Sequence, residues 1–246
     1  MTIQTSFVHI RNTPNTGDLH CTPFDYFYFP EARVYDINSS IPKSHTVIYG
    51  GGAIEPKLRT DKIHHNVEAK YKIAWGVGTS LSGRSTSPEL VDDMDLVGRR
   101  EWGRKGGIYV PCVSCMSDLF DKKYEIDKDV IVYAHAVKPG VKEILEYGFP
   151  TLNNRAPFKD VIESLGSAET IITNSFHGAY WGTLLNRKVI CVPFSSKFYG
   201  YKHTPLMIKG SGWKESLSMG VNYPDALSDA RTHNICFYNR VMDLIS

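Results

Sequence analysis

The segment TNSFHGAYWGTLLNRKVICVPF, residues 173–194, holds the side chain best suited to acid–base chemistry. His177 stands between a β-branched run, Thr170-Ile171-Ile172-Thr173, and a stretch of small residues that opens a helix. An imidazole titrates near neutral pH, so it can take or give a proton, or bind a phosphate. Ser175 is an N-cap candidate. The helix after it exposes free backbone N–H groups and a positive dipole end, the makings of an anion site. A lone histidine ahead of a helix also serves packing, and spacing alone leaves both readings open.

Other short constellations deserve the same two-sided reading. Gly50-Gly51-Gly52 follows the apolar run Val47-Ile48-Tyr49 and lets a ligand approach the backbone, because no Cβ intervenes. It lacks the Gly-Lys-Ser/Thr of a P-loop and the spacing of a dinucleotide fingerprint, so a tight turn competes with a ligand loop. Asn15-Thr16-Gly17-Asp18 stands between the same alternatives. Arg99-Arg100 directly follows a strand candidate; arginine forks bind carboxylate or phosphate in bidentate fashion, though salt bridges explain them as well. Cys112-x-x-Cys115 is a single pair without further zinc ligands nearby, and reads as structural thiols. Asp93-Met94-Asp95 has the Asp-x-Asp form of some metal-dependent glycosyltransferases. With Glu89 and Asp92 beside it, it reads as a solvated acidic face, and no metal site is expected. His64-His65 has no spaced partner and reads as solvent-facing.

These residues need elements to position them. Ser6–Arg11, Val47–Tyr49, Lys72–Trp75, Asp95–Gly98 and Ile108–Val110 read as strands, several closed by Gly-rich or polar loops such as Gly76-Val77-Gly78. Helical-length gaps between them point to a nucleotide-binding-like α/β unit. The charged stretch Asp121–Lys128 reads as a linker. The pattern then restarts with a strand at Val130–Ala134 and a helix opened by Pro139 and ended by Gly148. Phe158, Val161, Ile162 and Leu165 mark an amphipathic helix, and the His177 unit follows, with a strand at Val189–Val192. Ala226–Ile245 reads as a helical tail. The expected fold is therefore α/β, with two Rossmann-like domains facing a cleft: residues 1–122, and residues 123–246 including the tail. In parallel sheets ligands bind beyond the carboxyl ends of the strands, where Asn174–His177 lies.

Composition narrows the classes. The chain has 246 residues, enough for one large domain or two smaller ones. Hydrophobic residues at 42% and charged residues at 22% are ordinary for a soluble globular protein. A net charge of +2 is too small to argue for nucleic acid or a membrane surface. No stretch approaches the roughly 18 apolar residues of a membrane span. The opening MTIQTSFVHIRNT lacks the charged and apolar regions of a signal peptide, and the five scattered cysteines read as reduced thiols, so a cytoplasmic protein is expected. The 14 tyrosines suit stacking on sugar rings, and core packing equally.

Taken in order, the pieces resemble the polysaccharide pyruvyl transferase family over nearly the whole chain. The likeness lies in the Asn-x-Gly-Asp loop (Asn15 to Asp18), the strand ending in triple glycine, the Gly76–Gly78 loop, an arginine after a further strand, and Ser175-Phe176-His177-Gly178. Lys197, in Pro193-Phe194-Ser195-Ser196-Lys197, follows the next strand. The resemblance implies a GT-B-like arrangement, with the acceptor sugar toward the N-terminal half and the donor against the His177 motif. It implies transfer of the pyruvyl group of phosphoenolpyruvate onto two sugar hydroxyls as a cyclic ketal, on a glycan or lipid-linked oligosaccharide acceptor. No metal or resident cofactor is called for. His177 is the expected catalytic residue. Asn15, Gly17, Asp18, Gly51, Gly52, Gly78, Arg99, Arg100, Ser175, Phe176 and Lys197 are the expected substrate-binding set. Many members carry Arg-x-His where this chain has Ser175-Phe176-His177, so another cation (Arg99, Arg100 or Lys197) must hold the donor anion. The alternatives are a GT-B-like glycosyltransferase using a sugar nucleotide and a non-catalytic glycan-binding relative.

Overall fold

The structure, a computed structural model, describes residues 4–60, 64, 66–81, 94–209 and 213–246. Its strands fall into two sheets in which every pairing is parallel. The first contains β1 (Thr5–His9), β2 (Arg33–Asp36), β3 (Ser44–Gly50), β4 (Ala69–Val77), β5 (Leu96–Arg99) and β6 (Ile108–Tyr109), in the order β2-β1-β3-β4-β5-β6. The second contains β7 (Lys128–Ala134), β8 (Thr151–Asn153), β9 (Ala168–Thr173), β10 (Lys188–Cys191) and β11 (Leu206–Met207), in the order β11-β10-β9-β7-β8. Helices among the described residues include α1 (Thr16–Leu19), α2 (Glu55–Thr60), α3 (Val141–Leu145), α4 (Phe158–Gly166), α5 (Phe176–Leu184), α6 (Trp213–Ser216) and α7 (Ala226–Ile245).

Both sheets bury both faces, as parallel sheets covered by crossover helices must. Side chains alternate with the strand period. Phe7, Ile48, Ile73 and Trp75 face one layer, while Val8, Val47, Tyr49 and Ala74 face the other with Ile54 and Leu58. In the second sheet Ile131, Tyr133, Ile171 and Val189 pack under α4 and α5. Val130, Val132, Ile172 and Ile190 pack against Ile144 and Trp213.

The tail assigned from sequence to the second half does more than close it. Ala226 and Ala230, at the start of α7, join the core of the second sheet, but Phe237, Val241 and Ile245 cover the first. Between them Asn234 is fully buried: its Oδ1 accepts from Trp75 Nε1 (2.9 Å) and its Nδ2 donates to Pro111 O (3.2 Å). The helix thus clasps both units. Three short edge strands, β2, β8 and β11, were not expected from sequence.

The two sheets share one design. Each starts its chain at an inner strand, lays the second strand on one side and the third on the other. That reversal creates a switch point, between β1 and β3 in the first sheet and between β7 and β9 in the second. The crevice beyond such a point is where open α/β sheets bind ligands.

Candidate functional site

The two switch points meet. The loop after β1 carries Asn15, whose side chain caps α1 by accepting from Gly17 N (3.3 Å) and donating to Asp18 Oδ2 (2.6 Å). Gly17 lies against the imidazole of the other unit: a Cβ built on it would overlap Nδ1 of His177. Only glycine permits that approach. The loop after β3 brings in Gly52, with φ at +78°, a conformation other residues rarely adopt; a Cβ there would stand 3.9 Å from Asp18 Oδ1. Thr16 ties the loop to the second unit, its N–H donating to Asn154 O (2.9 Å) and its hydroxyl to Ala156 O (2.5 Å).

From the second unit, Ser175 caps α5 as its type suggests, accepting from Gly178 N (3.4 Å). Its hydroxyl is therefore a structural cap. Asn174 is buried and organises the loop after β7: Oδ1 accepts from His135 N (2.7 Å) and Nδ2 donates to Pro139 O (2.9 Å). Phe176 stacks on Tyr201 (4.8 Å between centroids, 14°) and presents its ring to Arg100, whose guanidinium carbon sits 4.2 Å from the centroid. Arg100 comes from the first unit, so this cation–π contact crosses the junction. Gly78 leaves room for it, since a Cβ there would overlap Arg100 Nε and Glu101 Oε1.

Burial and charge set the protonation states. Burial holds the His177 pKa well below its ordinary value, with the Arg100 and Lys197 charges pushing the same way, so the ring is neutral. Burial also brings Lys197 down to about 7, the Arg100 charge adding to the shift and Asp18 opposing it. Its ammonium lies 4.9 Å from the Phe194 centroid and 5.3 Å from that of Phe198. Asp18 is raised by burial, against the hydrogen bond from Asn15 and the charges of Lys197, Arg100 and Lys138. The Arg100 charge bears on all three groups, and Asp18 and Lys197 bear on each other, so they share one electrostatic environment.

The structure therefore brings together Asn15, Gly17, Asp18, Gly52, Arg100, Phe176, His177 and Lys197. It revises several expectations. Arg99 does not accompany Arg100: it is the last residue of β5, whereas Arg100 lies beyond the strand and turns to Phe176. Arg99 is fully buried in a network with Glu55, whose carboxylate also binds Arg104 at 2.6 Å. Gly51 packs on Cys21, where a Cβ would come within 2.5 Å of Cys21 Cβ. Cys112, one of the pair read as structural thiols, has its sulfur 3.6 Å from His177 Nε2. His64 is buried, edge-on to Tyr49 at 5.3 Å, and does not face solvent. Asp95 caps the backbone N–H of Lys72 (2.8 Å), whereas Glu89, Asp92, Asp93 and His65 lie outside the described residues. Among the described residues no group of three or more His, Cys, Asp or Glu is placed to hold a metal ion. No helix among them is long and apolar enough to cross a membrane.

Sequence reasoning missed His135, a neighbour of His177 at the end of β7 whose pKa burial and the Lys197 and Lys138 charges bring down to about 4. Its one signal is its place directly after a strand that opens an α/β half.

No family model matches the chain, and no curated protein matches it. A solved structure of a functionally uncharacterised protein from Klebsiella pneumoniae subsp. pneumoniae NTUH-K2044 superposes on 85% of this chain and 94% of that one. The TM-score is 0.54 at 15% sequence identity. The likeness is one of fold. It accords with a mixed α/β protein built on two parallel sheets and brings no activity with it.

Proposed function

We propose that the protein is a pyruvyltransferase that moves the pyruvyl group of phosphoenolpyruvate onto two hydroxyls of a glycan sugar, forming a cyclic ketal. One observation carries the reading. Arg100 and Lys197 bear on a neutral, buried His177 at the amino end of α5, where the switch points of two parallel sheets meet. Such a place suits a small, doubly anionic donor, because buried charges must be paired. In this reading Arg100 and Lys197 supply the cations that the Arg-x-His form supplies elsewhere, in place of Ser175. The arrangement is GT-B-like, and the clasp of α7 across both units supports that.

The chemistry moves two protons. The enol methylene carbon gains one, and a sugar oxygen adds to the neighbouring carbon. The second sugar oxygen then displaces phosphate from that carbon, and the second proton leaves on the phosphate. His177, neutral at pH 7, accepts a proton from a sugar hydroxyl, and Asp18, in the loop whose Gly17 touches the imidazole, is a second acceptor. Two anionic groups arriving beside Arg100 and Lys197 offset the charges that add to burial in keeping His177 neutral, which favours its holding the proton while the donor is bound.

The test is incubation with phosphoenolpyruvate and a panel of galactosides and mannosides, read by mass for an added pyruvyl group and by phosphate release. His177→Ala is expected to stay folded and to lose about 10²–10⁴-fold in rate, the usual contribution of an acid–base group. Consumption of a sugar nucleotide instead would make the protein a glycosyltransferase of the same architecture. Glycan binding with no turnover would make it a binding protein.

A further inference from the structure

The carboxyl end of β7, an inner strand of the second sheet, carries two further polar side chains. Tyr133, near the end of β7, and His135, the first residue beyond it, stand two residues apart at the carboxyl end of that strand. The Tyr133 ring packs against the first turn of α5, where a Cβ on Gly178 would overlap it. Its hydroxyl is buried, yet it has no hydrogen-bond partner among the described residues. Nδ1 of His135 is buried and without a partner in the same sense. Buried polar groups are almost always satisfied, so two such atoms at one switch point mark a place where stability gives way to binding.

The surroundings identify the ligand chemistry. The loop that His135 opens also carries Lys138, and Lys197 faces it from the turn after β10; both charges act on the imidazole. Phe194 closes one side, its ring 6.4 Å from that of His135 in an edge-on pose. Asn174 fixes the backbone of the loop by its hydrogen bonds to His135 N and Pro139 O, so the main chain that carries His135 and Lys138 is held in place before any ligand arrives. The Asp18 carboxylate also acts on the Tyr133 phenol, adding to burial in raising its pKa, so the phenol stays protonated as a donor; with it, the neutral imidazole and the Lys138 and Lys197 side chains beside that imidazole suit an oxyanion better than a neutral hydroxyl.

We propose that Tyr133 and His135, with Lys138 and Lys197, form an oxyanion subsite that takes a phosphoryl group. It rests on the reading above only for the identity of the donor. The phenol donates its proton to one ligand oxygen, and the imidazole contacts another through Nδ1.

Titration with inorganic phosphate tests this, by calorimetry on the wild type and on Tyr133→Phe, His135→Ala and, as a control outside the site, His45→Ala. Saturable binding is expected in the wild type and the control. Each of the two site variants should bind phosphate about tenfold more weakly, the scale of one hydrogen bond to a charged group. Tyr133→Phe adds a second readout. Because it removes an unpartnered buried hydroxyl, its ligand-free melting temperature should match or exceed that of the wild type. No phosphate binding by the wild type, or undiminished binding by both folded site variants, overturns the proposal. So does a Tyr133→Phe protein that melts earlier without ligand, since the hydroxyl would then be a structural partner. Weakened phosphate binding in both variants, with no pyruvyl transfer to any acceptor, would keep the subsite and remove the pyruvyltransferase reading.

Discussion

Replacing Gly17 with alanine adds one methyl group at the point where the two units touch. The new Cβ would overlap Nδ1 of His177 and lie 2.5 Å from its Cγ and 2.6 Å from its Cε1. Ordinary carbon contacts need about 3.5 Å, so the imidazole or α1 must retreat by roughly 1 Å. Neither retreats freely. The His177 ring lies 5.1 Å from that of Trp181, and its Nε2 is 3.6 Å from the Cys112 sulfur. On the other side Thr16 is bonded to Asn154 and Ala156. Overpacking of this kind costs about 1–3 kcal/mol, which lowers the melting temperature by roughly 2–12 °C for a chain of this size. A displacement of about 1 Å at a reacting group costs on the order of 10²-fold in rate. Scanning calorimetry and the transfer assay measure the two effects on one preparation. A Gly17→Ala protein with unchanged melting temperature and unchanged rate would show that the loop does not press on His177.

Two further perturbations follow from the charges. The folded pKa of Lys197, about 7, lies below its ordinary 10.5, so between those values the unfolded chain binds more protons and the wild type gains stability as pH rises. Lys197→Met should lack that rise, and denaturant unfolding at several pH values from 7 to 10.5 checks it; parallel curves would remove the burial argument. Arg231 on α7 grips Asp121 through Nη1 (2.5 Å) and Nη2 (3.1 Å) and donates to Cys115 O (2.9 Å) and Ser117 O (3.0 Å). Arg231→Ala should cost roughly 1–3 kcal/mol in unfolding free energy. Because Arg231 lowers the Asp121 pKa, the Asp121 share of that gap is complete above the ordinary 3.8. It shrinks as pH falls through the lowered folded value. A gap that stays constant through acid would assign the whole effect to the carbonyl contacts.

The sequence made the central elements legible and left their assembly hidden. The unit from Thr170 to Val192 could be read because a β-branched run, a capping serine and a glycine-bearing helix follow one another without ambiguity. β8 and β11 could not: three and two residues at sheet edges, partly exposed, carry no period to detect. Arg99 and Arg100 read alike because nothing local marks Arg99 as the last residue of β5 and Arg100 as the first beyond it. Phe237, Val241 and Ile245 mark an apolar face at helical spacing, but nothing local says which sheet it covers. His135 sits in Val-Tyr-Ala-His-Ala-Val with no motif, and its proximity to His177 depends on β7 lying beside β9, a fact of strand order. Cys112 nears His177 because of the same assembly.

The proposed transfer requires a donor anion held where the two switch points meet, between Arg100 of one unit and Lys197 of the other. Calorimetric titration of phosphoenolpyruvate into the wild type and into the folded Arg100→Ala/Lys197→Ala double variant measures it directly. Saturable binding by the wild type and its loss in the double variant is the predicted result. Equal binding by both proteins, or none by the wild type, would contradict the claim.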